Sequence, residues 1–265
     1  MSVTTTESFS VSRTAHLTRW NAVLLGRNRL ALLYAILMPL TPLFILLTND
    51  RGDLTLGASS MGGVLLLAGL FPVYYNVLSQ FVSRRDELVL KRMRTGEVRD
   101  SELLVGIALP GVVCAVVACA VAVPIAVAAG QPAPVNIALF GVGTLLAAVM
   151  FAALAYWTAA WTRSAEAAQL TSMPVIILAA VGPIGVFMTS LSDSVREVIA
   201  LTPGAAMTEL VRIGWYGFDG DDATTSTLSF GGTWGAAGPA VLVMLAWTGV
   251  ALVLARRSLR WEPRA

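Results

Sequence analysis

The stretch RRDELVLKRMRTGEVRDSE, residues 84–102, is the most charged part of a very apolar chain, and a long apolar run lies on each side of it. It holds six basic residues interleaved with five acidic ones. From Asp86 to Arg94 there is no helix breaker, and apolar side chains stand among the charged ones, so the pattern predicts a short amphipathic helix. We call residues 84–102 the charged connector, because they join two apolar segments whose nature decides the fold.

The composition of the chain is far from that of a soluble domain. Of its 265 residues, 56% are hydrophobic and 13% charged, and the mean hydropathy is +0.74, whereas about 25% of the residues of a globular protein are charged. The apolar residues come in blocks of roughly 20, the length that a helix needs to cross about 30 Å of hydrocarbon. The composition therefore predicts an all-α, polytopic membrane protein. Its charged connector would carry a short helix on the membrane surface, suited to contacting a soluble partner.

Six transmembrane helices are predicted from these blocks. They cover Leu30–Leu47, Leu56–Val82, Leu103–Ala129, Val135–Thr162, Ala167–Leu191 and Trp234–Leu254. Pro39 and Pro42 lie inside the first span, and we expect them to kink it because proline removes a helical hydrogen bond. Together the spans make up one membrane domain over residues 30–255, followed by a basic tail at 256–265.

The chain before the first span divides into two parts. Residues 1–12 are polar and rich in Ser and Thr, and we interpret them as a disordered tail. An amphipathic helix is predicted over residues 13–29. Its Leu17, Trp20 and Leu24 fall on one face while arginines keep the rest polar, which is typical of a helix lying in the membrane interface with its arginines toward lipid phosphate. The alternative is that this segment is only the basic flank of the first span.

The distribution of Lys and Arg predicts the orientation. Six spans put both termini on the same side as the charged connector, and that side holds fifteen of the eighteen basic residues. The other side holds Arg51, Arg196 and Arg212. Because positive residues accumulate on the cytoplasmic side of a membrane, we expect both termini and the connector to be cytoplasmic.

The long outer segment between the fifth and sixth spans has a pattern of its own. Two short helices are predicted, Val195–Ala200 and Pro203–Ile213, with Thr202 as the cap of the second. A seventh span here would carry Glu209 and Arg212 into the membrane and would move the basic tail to the outer side, against the distribution of charge. We therefore favour a re-entrant or interfacial pair of short helices.

The six predicted spans contain no Asp, Glu, Lys, Arg or His. Ion-coupled carriers and proton relays need ionisable groups at membrane depth, and a membrane hydrolase needs an acid, a base or metal ligands, so these classes are disfavoured. The single histidine, His16, lies in the N-terminal region, and Cys114 and Cys119 match no metal-binding or redox spacing. A phosphate-binding loop needs a lysine, and the only one is Lys91 in the connector. We therefore expect no catalytic, metal or cofactor site in this chain, and no nucleic-acid partner.

Three stretches of the chain resemble permease subunits of ABC-2 type ATP-binding-cassette exporters. RRDELVLKRMRTGE (84–97) is similar to the cytoplasmic coupling segment of that family, although Thr95-Gly96 stands where many members have Thr-Pro. LTPGAAMTELVRIG (201–214) resembles the family's outer helical pair, and RRSLRWEPR (256–264) its basic tail. The resemblance covers nearly the whole chain.

The resemblance implies a half-transporter in a bacterial plasma membrane. Two six-span permeases, identical copies or siblings, and two separate ATPase subunits would form the working exporter, with ATP and Mg²⁺ bound by the ATPases. The connector would sit in a groove of the ATPase and pass its closure to the spans. The coupling residues that this implies are Asp86, Glu87, Lys91, Arg92 and Arg94 for polar contacts, and Leu88, Leu90 and Met93 for packing. The alternative is that these charges only set the topology of a solvated loop.

In related exporters the substrate path runs between the two permeases, chiefly along the first, second and fifth spans. The residues of this chain that would line it are Phe44, Phe71, Tyr74, Asn76, Gln80, Met173 and Met188. Asn76 and Gln80 are one helical turn apart and so share a face, where a permeant could bond to their amides. The alternative is that they bond to a neighbouring helix. An uncharged lining suits an amphiphilic drug, a natural product or a lipid.

Two other classes of function stay open at this point. A membrane enzyme acting on lipid could use carboxylates in the loops, although the predicted spans offer no acid, base or metal ligand. A structural or assembly subunit of a larger membrane complex would need no site at all. An ATPase that binds this chain would favour export over both.

Overall fold

The computed structural model describes residues 9–94, 98–164, 166–187, 192–220, 225–259 and 261. These residues form helices, most of them joined by short turns, and no strand is found among them. The helices are, in chain order, α1 (Val11–Arg27), α2 (Arg29–Leu40), α3 (Leu43–Thr48), α4 (Leu54–Gly69), α5 (Asn76–Asp86), α6 (Val89–Arg94), α7 (Asp100–Ala128), α8 (Ile137–Ala159), α9 (Ala168–Thr171), α10 (Met173–Phe187), α11 (Asp193–Ala200), α12 (Pro203–Tyr216), α13 (Phe230–Ala236) and α14 (Gly238–Ser258). A π-helical segment, Leu70–Tyr75, joins α4 to α5. The all-α class predicted from the composition is confirmed.

Within the described residues, four helices are long and apolar enough to cross a membrane. They are α7, α8, α14 and the continuous helix Leu54–Asp86, which contains α4, the π-helical segment and α5. A fifth candidate is obtained if α1 and α2, which meet at 91°, are counted as one broken span. The apolar part of α10, Met173–Pro183, is shorter. The structure thus has the helices of a multi-pass membrane protein, and the count of six spans stays a prediction.

The first predicted span is divided at its prolines. Pro39 lies within α2, and a turn at Thr41 and Pro42 separates α2 from α3. Because proline cannot donate the hydrogen bond that continues a helix, the helix is interrupted here rather than only kinked. Before it, α1 leaves α2 at 91° with Trp20 68% exposed. A helix turned this sharply from its neighbour is what the interfacial prediction for residues 13–29 requires, and its place in the membrane stays a prediction.

The second predicted span is one continuous helical path of 33 residues from Leu54 to Asp86. Its middle is π-helical over Leu70–Tyr75 and contains Pro72, whose missing N–H favours an irregular turn. α7 crosses at this point with Gly111, where a Cβ would overlap the carbonyl of Pro72. Glycine therefore allows the two backbones to touch, as is common where membrane helices pack closely.

α12 lies at the centre of the fold. It packs against α4, α8, α10 and α14 and is buried on nearly all sides. Thr202 caps its beginning by accepting from the Ala205 N–H at 3.3 Å, and Gly217 ends it in a left-handed conformation with a φ of 64°. The helix extends to Tyr216 rather than ending at Ile213, and it is a core element of the bundle.

Candidate coupling segment and substrate path

The charged connector contains a break between two helices, and no helix-breaking residue in the sequence predicts it. α5 continues through Asp86, and α6 begins at Val89. Between them Leu88 has a φ of 59°, in the left-handed region that residues other than glycine rarely adopt. The prediction of a single helix from Asp86 to Arg94 is therefore wrong about where the helix begins. The turn at Leu88 allows Leu90 to reach the hydrophobic core, where it is fully buried.

The side chains of α6 and the turn before it divide between the surface and the core. The exposed ones are Asp86, Glu87, Leu88 and Arg92. Leu90 is fully buried in its own chain, and Met93 is half-buried against the same core. Leu90 therefore anchors α6 to the bundle, in contrast to the prediction that it packs against a partner. The side chains of Lys91 and Arg94 lie outside the described part of the chain.

Arg85, at the end of α5, is fully buried. Its guanidinium donates to the carbonyls of Ala159 at 2.9 Å and Thr162 at 2.6 Å, and to that of Arg163 at 3.4 Å. The Asp86 carboxylate lies 3.5 Å from Arg85 Nε. The three carbonyls belong to the last residue of α8 and to the turn after it, where helical carbonyls lack partners within the helix and the helix dipole favours a cation. Arg85 thus ties α5 to the end of α8.

Arg84 belongs to a row of polar contacts that runs along α5. Its guanidinium donates to the Gln80 side chain at 2.9 Å and to the Asn21 side chain of α1 at 2.6 Å. Gln80 donates in turn to Asn76 at 2.7 Å, and Asn21 donates to the Gly106 carbonyl of α7 at 2.6 Å. The two amides share a face. Gln80 is linked through Arg84 to a neighbouring helix, as the second interpretation expects, whereas Asn76 Nδ2 donates to no atom of the described residues.

Glu102, at the other end of the connector, binds the beginning of the chain. It is fully buried, and its two oxygens accept from Nε and Nη2 of Arg13, each at 3.0 Å. The backbone N–H groups of Ser10 and Arg99 donate to the same carboxylate at 2.6 and 3.2 Å. α1 is therefore fastened to the beginning of α7. Arg13 faces the protein here, where the amphipathic pattern predicts that it faces lipid phosphate.

Phe44, one of the candidates for the substrate path, lines an apolar cleft where α2 turns into α3. The cleft has a volume of about 460 Å³, and Phe44 is 68% exposed at it. Aliphatic side chains such as Leu37 and Leu47 line most of the cleft, and Ile125 of α7 contributes to it from a third helix. A surface of this kind accommodates apolar groups through burial rather than through hydrogen bonds.

The other path candidates among the described residues do not line this cleft. Phe71 is half-buried in the π-helical segment, and Met173 is 53% exposed at the beginning of α10. Tyr74 is fully buried, and its hydroxyl donates to the Thr158 hydroxyl of α8 at 3.0 Å, so it packs inside its own chain. Met188 lies outside the described residues.

The pair formed by α11 and α12 reaches the middle of the bundle. The indole N–H of Trp247, halfway along α14, donates to the Leu201 carbonyl in the turn between the two helices at 2.8 Å. Beside this turn, Gly204 lies so close to α10 that a Cβ would overlap the carbonyl of Ala179, near the centre of that helix. The turn therefore lies at about half the height of its neighbours.

The C-terminal end of α12 is bound to the turn between α7 and α8. Trp215 Nε1 donates to the Pro132 carbonyl at 3.0 Å, and the Tyr216 hydroxyl donates to Gln131 Oε1 at 3.0 Å. α12 thus runs from the middle of the bundle to one end of it. A re-entrant helix would have such a course, and the re-entrant or interfacial character of the pair stays a prediction.

The family described as ABC-2 family transporter protein matches residues 33–257. This range extends from within α2 to near the end of α14 and includes the connector, the carbonyls that Arg85 binds, and the pair α11–α12. A comparison with curated proteins finds no match. Because the family covers most of the chain, and because the fold has the apolar helices that such a protein needs, this protein belongs to the ABC-2 family of transporter proteins as a membrane-embedded permease component.

Proposed function

We propose that this protein is the permease of an exporter that is driven by ATP hydrolysis on separate ATPase subunits, which contact the charged connector. The observation that carries the proposal is α6. It is a short charged helix between two long apolar ones, with Arg92 exposed and Leu90 buried, and it follows a turn at which Asp86 and Glu87 are exposed. A helix that presents charged side chains at the surface while its apolar side is fixed to the bundle can be moved by a partner without separating from the bundle.

Each part of the connector has a distinct role in this proposal. The residues proposed to contact the ATPase are Asp86, Glu87, Leu88, Lys91, Arg92, Met93 and Arg94. Leu90 holds α6 in place, and Arg85 and Glu102 fasten the two ends of the connector to the spans. ATP and Mg²⁺ would bind to the ATPase. A second permease, identical or a sibling, would complete the pump in the bacterial plasma membrane, with both termini of this chain in the cytoplasm.

An amphiphilic or hydrophobic compound is the substrate that fits best. The cleft beside Phe44 is apolar, and Met173 is exposed at the beginning of α10. Asn76 adds a polar element, because its Nδ2 is buried and donates to no atom of the described residues. A permeant with one hydrogen-bond acceptor and a large apolar part would satisfy that donor and bury its remaining surface.

Binding of the ATPase tests the proposal directly. In a complex purified through a tag on this chain, we expect Glu87→Arg and Arg92→Glu each to reduce the amount of bound ATPase at least tenfold, because each places a wrong charge at the contact. Arg256→Glu is the matched control, since Arg256 is also exposed, at the end of α14, but lies outside the connector. Undiminished ATPase binding by both connector variants would contradict the proposal.

The substrate assignment has its own test. Transport of a fluorescent amphiphile into inside-out vesicles should lose affinity at least threefold in Asn76→Ala, while the amount of assembled complex stays the same. Phe44→Ala should act in the same direction. If both variants transport the amphiphile with wild-type affinity and rate, neither residue contacts it.

A further inference from the structure

Arg85 connects the charged connector to the turn that follows α8. The Thr162 carbonyl accepts from its guanidinium at 2.6 Å, and the Thr162 hydroxyl lies 2.8 Å from the Thr171 hydroxyl of α9. The next residue, Ser172, leads into α10 and has its hydroxyl 3.3 Å from that of Tyr75. Hydrogen bonds therefore link the end of α5 to the α8–α9 turn and that turn to Thr171, from which the backbone continues through Ser172 into α10.

The contact between the Arg85 guanidinium and its carbonyl acceptors depends on the relative orientation of the groups. A planar guanidinium can donate to two carbonyls at once, at Ala159 and Thr162, and it holds both only in one orientation, whereas an ammonium group is a point charge on a flexible stem. One turn earlier, Phe81 meets Tyr156 of α8 through aromatic rings with centroids 5.7 Å apart. Apolar contacts of that kind have no preferred direction of bonding and resist sliding less.

The position of the contact matters as much as its chemistry. Arg85 is separated by one turn of chain from α6, which Leu90 fixes to the bundle. On the far side, α10 touches the α12 backbone through Gly204. A displacement of α6 could therefore be passed through Arg85 to α10, and from there to the re-entrant pair.

We propose that Arg85 is a positioning residue for coupling, which transmits movement of α6 to the α8–α9 turn and to α10. The inference rests on the proposed function, because the movement must come from the ATPase. It goes beyond that function in assigning the transmission to one buried side chain that does not contact the ATPase.

Two reporters in the intact permease–ATPase complex separate transmission from assembly. In a background of Cys114→Ala and Cys119→Ala, an environment-sensitive fluorophore is attached at Ser79→Cys on α5 or at Gln169→Cys on α9, both at exposed positions. The complex, in lipid nanodiscs, is given ATP, Mg²⁺ and orthovanadate. We expect both reporters to respond in the parent chain.

In Arg85→Gln we expect the Ser79 reporter to keep its response while the Gln169 response falls at least fivefold. Arg85→Lys keeps the charge and should disturb folding less. Its Gln169 response should lie between that of the parent chain and that of Arg85→Gln. Arg257→Gln, at an exposed position in the last turn of α14, is the control and should leave both responses as in the parent.

A purely structural role for Arg85 predicts that both reporters lose their response together, and that result would overturn the inference. A full Gln169 response in either folded Arg85 variant would overturn it as well. If neither reporter responds in the parent complex, the proposed function fails and the inference fails with it. Failure of the inference alone is recognised by reporters that respond in the parent complex.

Discussion

The two ends of the helical bundle are held together by different chemistry. At the end that carries α6, buried charged groups make the contacts: Glu102 binds Arg13, and Arg85 binds the carbonyls that follow α8. At the end where α7 turns into α8, the hydrogen bonds that tie α12 to that turn are neutral, and the buried Arg212 pairs with Glu209 within α12 and donates to the Gly220 carbonyl just after it. There Trp215 and Tyr216 of α12 donate to a carbonyl and an amide of the turn.

The difference shows what each end can tolerate. A buried charge costs free energy when it leaves water and recovers it only while its partners are in place, so the α6 end depends on a few directional contacts. The aromatic end depends on filled volume, since a large buried side chain stabilises through the area that it removes from water. If the proposed ATPase coupling holds, directional contacts would serve the end that receives the force, and tight packing would serve the other.

The first prediction tests which end faces the cytoplasm, and its effect is all or none. In a background without Cys114 and Cys119, Asp219→Cys should react with a membrane-impermeant maleimide in intact cells. Arg92→Cys should react only after the cells are permeabilised, because basic segments are retained on the cytoplasmic side. Labelling of Arg92→Cys in intact cells would reverse the orientation and remove the basis for ATPase contact.

The largest loss of stability is expected at the neutral end. Trp215 is fully buried, with its ring 5.2 Å from that of Phe140. Trp215→Ala should lower the free energy of unfolding in mixed detergent micelles by about 4 kcal/mol, since it leaves a large cavity. Trp234→Ala, at a residue 44% exposed on α13, should change it by less than about 0.5 kcal/mol. Equal losses in both variants would mean that packing does not dominate this end.

A smaller loss is expected where the charges meet. Glu102→Gln should lower the free energy of unfolding by about 2 kcal/mol, less than for a pair buried on both sides, because the half-buried Arg13 can turn toward water. The double variant with Arg13→Gln should be no less stable than Glu102→Gln alone. Glu166→Gln, at an exposed residue, is the control. Additive losses in the double variant would show that the two side chains act separately.

The smallest effect concerns a single neutral hydrogen bond. Tyr216→Phe removes the hydroxyl that donates to Gln131 at 3.0 Å and should cost about 1 kcal/mol of unfolding free energy. Tyr34→Phe, on the exposed side of α2, should be close to neutral in the same measurement. A cost for Tyr216→Phe as large as that for Trp215→Ala would mean that bonding, and not packing, holds the aromatic end.

Much of the fold could be predicted from the chain's pattern alone. Composition and long apolar blocks indicate a membrane protein because the bilayer imposes a fixed length on each span. The N-terminal end of α12 could also be predicted, since Thr202 followed by Pro203 is a local signal of a helix beginning. The number of spans was harder to predict, because Pro42 interrupts one helix and α10 is short.

The contacts that hold the connector could not be predicted from local pattern. Leu88 carries no sequence signal of a left-handed turn, and its conformation accompanies the burial of Leu90 two residues later. Arg85 stands next to Arg84 in the sequence, and both count equally toward topology. Their partners lie far away in the sequence: Arg85 donates to the Ala159 carbonyl, 74 residues away, and Arg84 donates to Asn21, 63 residues away.

The contact between Gly111 and Pro72 limits how the permease can change shape. With no side chain between the two backbones, α7 and the helix that contains Pro72 are nested at one point near the middle of both. Sliding along each other would drive a Cβ of a neighbouring residue into the opposite backbone, whereas tilting leaves the touching point unchanged. A change of shape in this bundle would therefore alter the crossing angle of the two helices about the Gly111–Pro72 contact, which acts as a fixed pivot.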